Sequence, residues 1–285
     1  PEDPNRSPRV SIEWAQNLID TYGRDNPYVM VNVLGKFPPL GSNQLLGPEE
    51  IRAAINRPLQ PSAYIGCQFR LGCDVARAGI DQTIVSRRQG LKGDYPLIDI
   101  PDQNQNNIAG NLMNLKNTHR ADVEFVDGTG GFGAGVCDQL LALGGCPMEI
   151  HFSSDAIDKG QFANRRSEMW YQMAQWVKRG GSIPNDPKLH RELAAPTFDF
   201  DNKGRIRLEP KEMMKKRLGY SPDRADALAL TFALPELAHG TADTEAAQTQ
   251  PSQKDRYRRV APPTHRMDVK PKHDWDPLDT NRWKR

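Results

Sequence analysis

The chain has no apolar run approaching the roughly 18 residues that cross a bilayer, and nothing at its start reads as a signal peptide, so no membrane association is expected. It has no CxxC pair. Its four cysteines, Cys67, Cys73, Cys137 and Cys146, lack metal or redox spacing and are expected as reduced, structural thiols in a cytosolic setting. It has no GxxxxGK[ST] phosphate loop, so these residues are not expected to hydrolyse ATP. It has no dominant charge either: 38 Lys+Arg against 36 Asp+Glu leave +2 over 285 residues, so any contact with nucleic acid must use local patches. The opening Pro1-Glu2-Asp3-Pro4 lacks an initiator Met and reads as the start of an excised piece. What remains is ordinary for a globular protein, with 37% hydrophobic and 26% charged residues.

The first sixty or so residues are mixed. A helix is expected at Ser11 to Tyr22, an extended stretch at Tyr28 to Leu34, and a helix from Pro48 to Ile55. From Phe69 the pattern becomes regular. Three hairpin-linked strands (69–75 with a turn at Ala78-Gly79, 82–88, 95–100) precede a helix at 103–117, a strand ending at Asp127, a helix at 132–143, a strand at 148–152 and an amphipathic helix at 162–179. Antiparallel strands followed by alternating helix and strand predict an α/β fold with a mixed central sheet flanked by helices. A polar stretch with Pro184 and Pro187, a short hairpin at 197–208, the basic segment Lys211 to Arg217 and a last helix from Ser221 to about Leu237 follow. Ser221 is the expected N-cap of that helix, with Pro222 at its first position and Asp223 at its positive end. Residues 241–285 hold few aliphatic side chains and ten Lys/Arg against seven Asp/Glu, and read as a largely disordered tail.

Four aspartates carry the chemistry. Asp74 and Asp127 each end an apolar strand, Phe69-Arg70-Leu71-Gly72-Cys73-Asp74 and Val123-Glu124-Phe125-Val126-Asp127. A carboxylate there reaches solvent while the sheet fixes its backbone. Asp223 and Asp226 lie three apart and share one face of the last helix. Oxygen donors from two strands and a helix suit two Mg²⁺ or Mn²⁺ ions, one activating water and the other stabilising a leaving oxygen. Asp81 is a second-tier ligand, equally well explained as a turn residue. Lys211, Lys215, Lys216, Arg217 and Arg224 are candidate DNA-phosphate contacts, with Arg165, Arg166, Lys178 and Arg179 weaker ones. His151, at a strand end, reads as structural.

Three segments extend this reading. Leu71-Gly72-Cys73-Asp74-Val75-Ala76-Arg77-Ala78-Gly79-Ile80-Asp81, Val126-Asp127-Gly128-Thr129-Gly130-Gly131-Phe132-Gly133 and Ser221-Pro222-Asp223-Arg224-Ala225-Asp226-Ala227-Leu228 together resemble the acidic motifs of the nuclease domain of the large terminase subunit of tailed double-stranded DNA bacteriophages. Val33-Leu34-Gly35-Lys36-Phe37-Pro38 resembles the segment leading out of that family's motor domain. The resemblance covers about residues 1–237. It implies an RNase H-like fold related to Holliday-junction resolvases and metal-dependent endonucleolytic cutting of concatemeric double-stranded DNA with little sequence specificity, in the infected host's cytoplasm. It also implies a portal protein and a small terminase subunit as partners. Residues 1–62 are then a lead-in from a motor ATPase domain on the N-terminal side, 63–240 the nuclease domain and 241–285 the tail.

Rival readings remain. Gly128-Thr129-Gly130-Gly131-Phe132-Gly133 satisfies the GxGxxG dinucleotide fingerprint, but Asp127 before it would repel a pyrophosphate. A non-catalytic assembly module and a Holliday-junction-type resolvase are the alternatives within the same fold.

Overall fold

Phe69–Asp74 (β1) is buried at every position, as a central strand covered on both faces requires. In this computed structural model, the structure describes residues 11–24, 27–36, 43–76, 82–101 and 104–236. The expectations for Asp81, the Ala78-Gly79 turn and the 241–285 tail lie outside the described residues.

Strands Thr83–Gln89 (β2), Ile98–Ile100 (β3), Val123–Asp127 (β4) and Pro147–Ile150 (β5) join β1 in a five-stranded sheet of order β3-β2-β1-β4-β5. β1, β2 and β3 pair antiparallel, whereas β4 runs parallel to β1 and β5 parallel to β4. This is the mixed, RNase H-like arrangement expected from the sequence.

The two faces of β1 serve different layers, because successive side chains point to opposite sides. Cys73 packs with Val85, Val126 and residues of helices Gln105–His119 (α4) and Phe132–Ala142 (α5). On the other face, Gly72 meets helix Asp223–Leu230 (α9). A Cβ at Gly72 would lie 2.1 Å from the carbonyl oxygen of Ala227, so only glycine admits this crossing of helix over strand. Helix Arg165–Lys178 (α6) packs on α9 from outside.

Around this core lie helices Ile12–Tyr22 (α1), Pro27–Asn32 (α2), Pro48–Ala54 (α3), Pro187–Ala194 (α7) and Lys211–Leu218 (α8), with the hairpin Phe198–Phe200 (β6) and Ile206–Leu208 (β7). α3 packs on α6 and α7, burying Ile51 and Ala54. Three expectations are corrected. Residues 27–32 form α2, so the β-branched run misled the extended reading of 28–34. The polar stretch after Pro184 contains α7, where Pro187 sits in the first turn and Asp186 caps Lys188 and Leu189. Finally, α9 starts at Asp223 with Pro222, not Ser221, at the cap position, and ends at Leu230 well short of 237. Beyond it, Arg70 takes the carbonyls of Thr231 and Pro235, and Pro235 itself donates no N–H to a continuing helix.

Candidate metal centre

Parallel pairing brings the two strand-end carboxylates side by side. Cys73 pairs with Val126, and Asp74 and Asp127 are one step further along both strands. The close crossing at Gly72 lays the N-terminal turn of α9 over this edge, and there Asp223 and Asp226 point at the same place. Asp74, Asp127 and Asp223 line one cleft of about 460 Å³, together with Thr129, Phe152, Arg166, Arg207, Lys211 and Lys215. Asp226 is completely buried behind it.

The centre of the acidic group is held by Lys211, from the first turn of α8. Its Nζ lies 3.2 Å from Asp74 Oδ2, 3.0 Å from Asp226 Oδ2 and 3.5 Å from Asp223 Oδ1. The contact with Asp226 is an ion pair lying off the hydrogen-bonding direction of that oxygen. The Lys211 side chain is 30% exposed along its length, while its ammonium is ringed by carboxylates. Burial opposes the charge, but Asp226, Asp74 and Asp223 hold the ammonium pKa well above the usual lysine range.

The carboxylates differ. Burial pushes Asp74 well above the ordinary carboxylate range; Lys211 opposes this and Asp226, Asp223 and Asp127 add to it. Burial also raises Asp127, against the hydrogen bond that its Oδ1 accepts from Thr129 N at 2.8 Å. Asp226 goes the other way: burial would raise it, but the charges of Arg166 and Lys211 keep it below the usual value, helped by the hydrogen bond from Trp170. Its Oδ1 accepts from Trp170 Nε1 at 2.7 Å and from Arg166 Nε at 3.3 Å.

Among the described residues, no three carboxylate, imidazole or thiol groups meet closely enough to hold a metal ion. Three carboxylates instead meet on an ammonium. The donor set still fits a hard divalent cation: every candidate ligand is an oxygen, and a cation already sits at the focus of the group. Its oxygen distances of 3.0–3.5 Å suit N–H donors and exceed the roughly 2.1 Å that Mg²⁺ requires, so ion binding needs Lys211 withdrawn and the carboxylates drawn in.

No family model matches the chain. A curated relative, a probable large terminase subunit of Enterobacteria phage P7, is 24% identical over 239 residues, covering 77% of this chain and 47% of that protein. The chain thus spans about half the length of that relative. Among solved structures, the nuclease domain of the large terminase subunit gp2 of bacterial virus Sf6 superposes with a TM-score of 0.57 at 21% identity, covering 67% of this chain and 99% of that one. A lysine-to-alanine mutant of that domain with manganese also gives 0.57, at 20% identity over 67% and 100% of the two chains. The fold is that of a phage large-terminase nuclease domain.

Within this terminase nuclease fold, the four aspartates singled out from the sequence converge, and the basic residues divide. Lys211 is inside the acidic group. Arg224 is held by both oxygens of Asp99 at 2.8 Å and by Asp186 at 2.8 Å, so its guanidinium ties β3 and α7 to α9 rather than facing the cleft. Arg217 pairs with Glu209 and the carbonyl of Ala195. Lys215 lines the cleft, and Lys216 is exposed on α8. Arg165 and Arg166 are buried, and Lys178 pairs with Glu50 at 3.6 Å. His151 pairs with Glu149 at 3.2 Å.

The glycine-rich loop after Asp127 spends an amide on Asp127 itself, and a Cβ at Gly133 would strike the Asp127 carbonyl at 1.9 Å. Gly133 therefore serves the close packing of α5 against the strand end, and the loop amide that Asp127 takes lies beside a carboxylate that would repel a pyrophosphate. Sequence reasoning missed Arg166 and Trp170 as partners of Asp226. Their spacing of four on one helix face was the available signal.

Proposed function

We propose that this chain carries the nuclease activity of a viral DNA-packaging terminase, an endodeoxyribonuclease that cuts concatemeric double-stranded DNA with two Mg²⁺ or Mn²⁺ ions. The observation that carries the reading is the convergence of Asp74, Asp127 and Asp223 on one open cleft, around a focus where a cation is already stabilised. The solved relative with manganese supports the choice of ion. Bound there, the ions supply an activated water and charge neutralisation at the leaving oxygen.

The protein's part is to hold and aim. Asp74, Asp127 and Asp223, which line the same cleft, would hold the ions. Lys211 keeps the carboxylates from repelling one another while the ions are absent and yields its place when they enter. Lys215 on the cleft wall draws in backbone phosphates, which carry no base identity, so cutting is expected to show little sequence preference. The ATPase motor, portal protein and small subunit belong to the larger assembly that the resemblance implies, acting in the infected cell's cytoplasm. Residues 1–62 then lead out of the motor domain.

The test is supercoiled plasmid incubated with Mn²⁺ and either wild type, Asp74→Ala or Asp223→Ala. Relaxed and linear DNA from wild type alone is the expected result. Inactive wild type that still binds Mn²⁺ would favour an assembly role for this fold.

A further inference from the structure

The two acids of α9 are only three residues apart, yet their surroundings differ. Asp223 lines the cleft, whereas Asp226 does not. Asp226 Oδ1 is taken by Trp170 Nε1 and Arg166 Nε, both on α6. Trp170 is 1% exposed, its ring lies under the Arg166 guanidinium, and Asp226 itself is completely buried. Arg166 also donates through Nη1 to the carbonyl of Glu209 at 2.9 Å and through Nη2 to the sulfur of Met214 at 3.5 Å. Those partners flank Lys211 in sequence. One side chain therefore grips both Asp226 and the segment that carries the lysine facing it.

We infer that Arg166 and Trp170 are positioning residues that lock Asp226 as the fixed counter-charge of Lys211, leaving Asp223 as the metal-facing carboxylate of α9. A carboxylate with one oxygen bound to two buried donors has lost the freedom to swing toward an incoming ion. That same lock holds its second oxygen 3.0 Å from the lysine ammonium. Asp223 has no such lock: its Oδ1 stands 3.5 Å from Lys211, at the cleft wall. The assignment of Asp223 rests on the proposed nuclease reading; the lock on Asp226 and Lys211 does not.

Two measurements on the folded protein separate these parts. Calorimetric titration with Mn²⁺ should show affinity reduced more than about tenfold in Asp223→Asn, while Asp226→Asn keeps wild-type affinity or binds more tightly because Lys211 is released. Equal losses in the two variants would overturn the division of labour.

The second measurement follows the side-chain NMR signal of Lys211 in lysine-labelled protein without metal, assigned by its absence in Lys211→Met. Trp170→Phe keeps a ring but deletes the donor, and should shift this signal in the wild-type background and not in Asp226→Asn. Arg166→Gln, a second route to the same acid, should also shift it. A Trp170→Phe shift that persists in Asp226→Asn would mean general repacking and would overturn the lock, as would no shift at all. If wild type binds no Mn²⁺, the nuclease reading and the assignment of Asp223 fall together, and the lysine signal still decides the lock.

Discussion

The two ends of α9 are both held by charge, yet in opposite ways. At its N-terminus Asp223 and Asp226 share one ammonium with Asp74, at distances of 3.0–3.5 Å, beside an open cleft that Asp127 also lines. At its C-terminus two buried arginines grip the chain as it leaves the helix. Arg88 donates to the Thr231 hydroxyl at 2.9 Å, the Thr231 carbonyl at 2.9 Å, the Gly90 carbonyl at 3.0 Å and Glu236 at 2.6 Å, and Arg70 takes the carbonyls of Thr231, Leu234 and Pro235. Both ends agree with the helix dipole, with anions at the start and cations at the finish. They differ in balance. The C-terminal clamp sets two guanidinium groups on backbone carbonyls, the Thr231 hydroxyl and Glu236, which suits a permanent joint, whereas the N-terminal group gathers four aspartates around Lys211 and Arg166. Surplus charge beside solvent invites a further cation, and the rigid clamp keeps the helix that bears it in place.

Breaking the acidic end should abolish chemistry while sparing the fold. Asp74→Asn is expected to lower plasmid cleavage by about a thousandfold or more, roughly 4 kcal/mol of transition-state stabilisation, with a thermal melt close to wild type. Breaking the clamp should do the reverse. Arg88→Ala removes the buried partner of Glu236 and a donor to the Thr231 hydroxyl and is expected to cost about 3–5 kcal/mol in urea denaturation. Any cleavage that survives in the folded fraction should keep its metal dependence.

Glu192 on α7 sharpens the same contrast, since it faces the first turn of α9 and accepts from Ala225 N at 2.9 Å. Burial pushes its carboxyl up to about 8 from an ordinary 4.5, with the Ala225 hydrogen bond opposing. The folded protein therefore binds more protons there than the unfolded chain between those values, and stability falls as pH rises through the window. Glu192→Gln should match wild type at pH 4.5 and exceed it above pH 8, by on the order of a few kcal/mol, in paired denaturation curves. The smallest effect is expected at Lys211→Met: about tenfold tighter Mn²⁺ binding by calorimetry, because the ion no longer displaces an ammonium.

Much of this contrast was legible before the fold was known. Asp74 and Asp127 stood out because each closes an apolar strand, and Asp223 with Asp226 because a spacing of three is one helix face. The sheet followed from the same periodicity. What was not legible is long-range. Lys211 meets Asp74 across 137 positions, and no local pattern distinguishes it from Lys215 or Lys216 on the same basic helix. Arg224 looked like a phosphate contact because its partners, Asp99 and Asp186, arrive from β3 and α7. Helix α2 was hidden by Val29, Val31 and Val33, whose branching favours strands, and α7 by prolines that read as breakers although one of them opens the helix.

The most direct test of the central claim is anomalous diffraction from crystals soaked in Mn²⁺. Manganese peaks between Asp74, Asp127 and Asp223, with the Lys211 ammonium moved out of the acidic group, are the predicted result. At saturating Mn²⁺, Lys211 still seated among the aspartates with no peak in the cleft would contradict it.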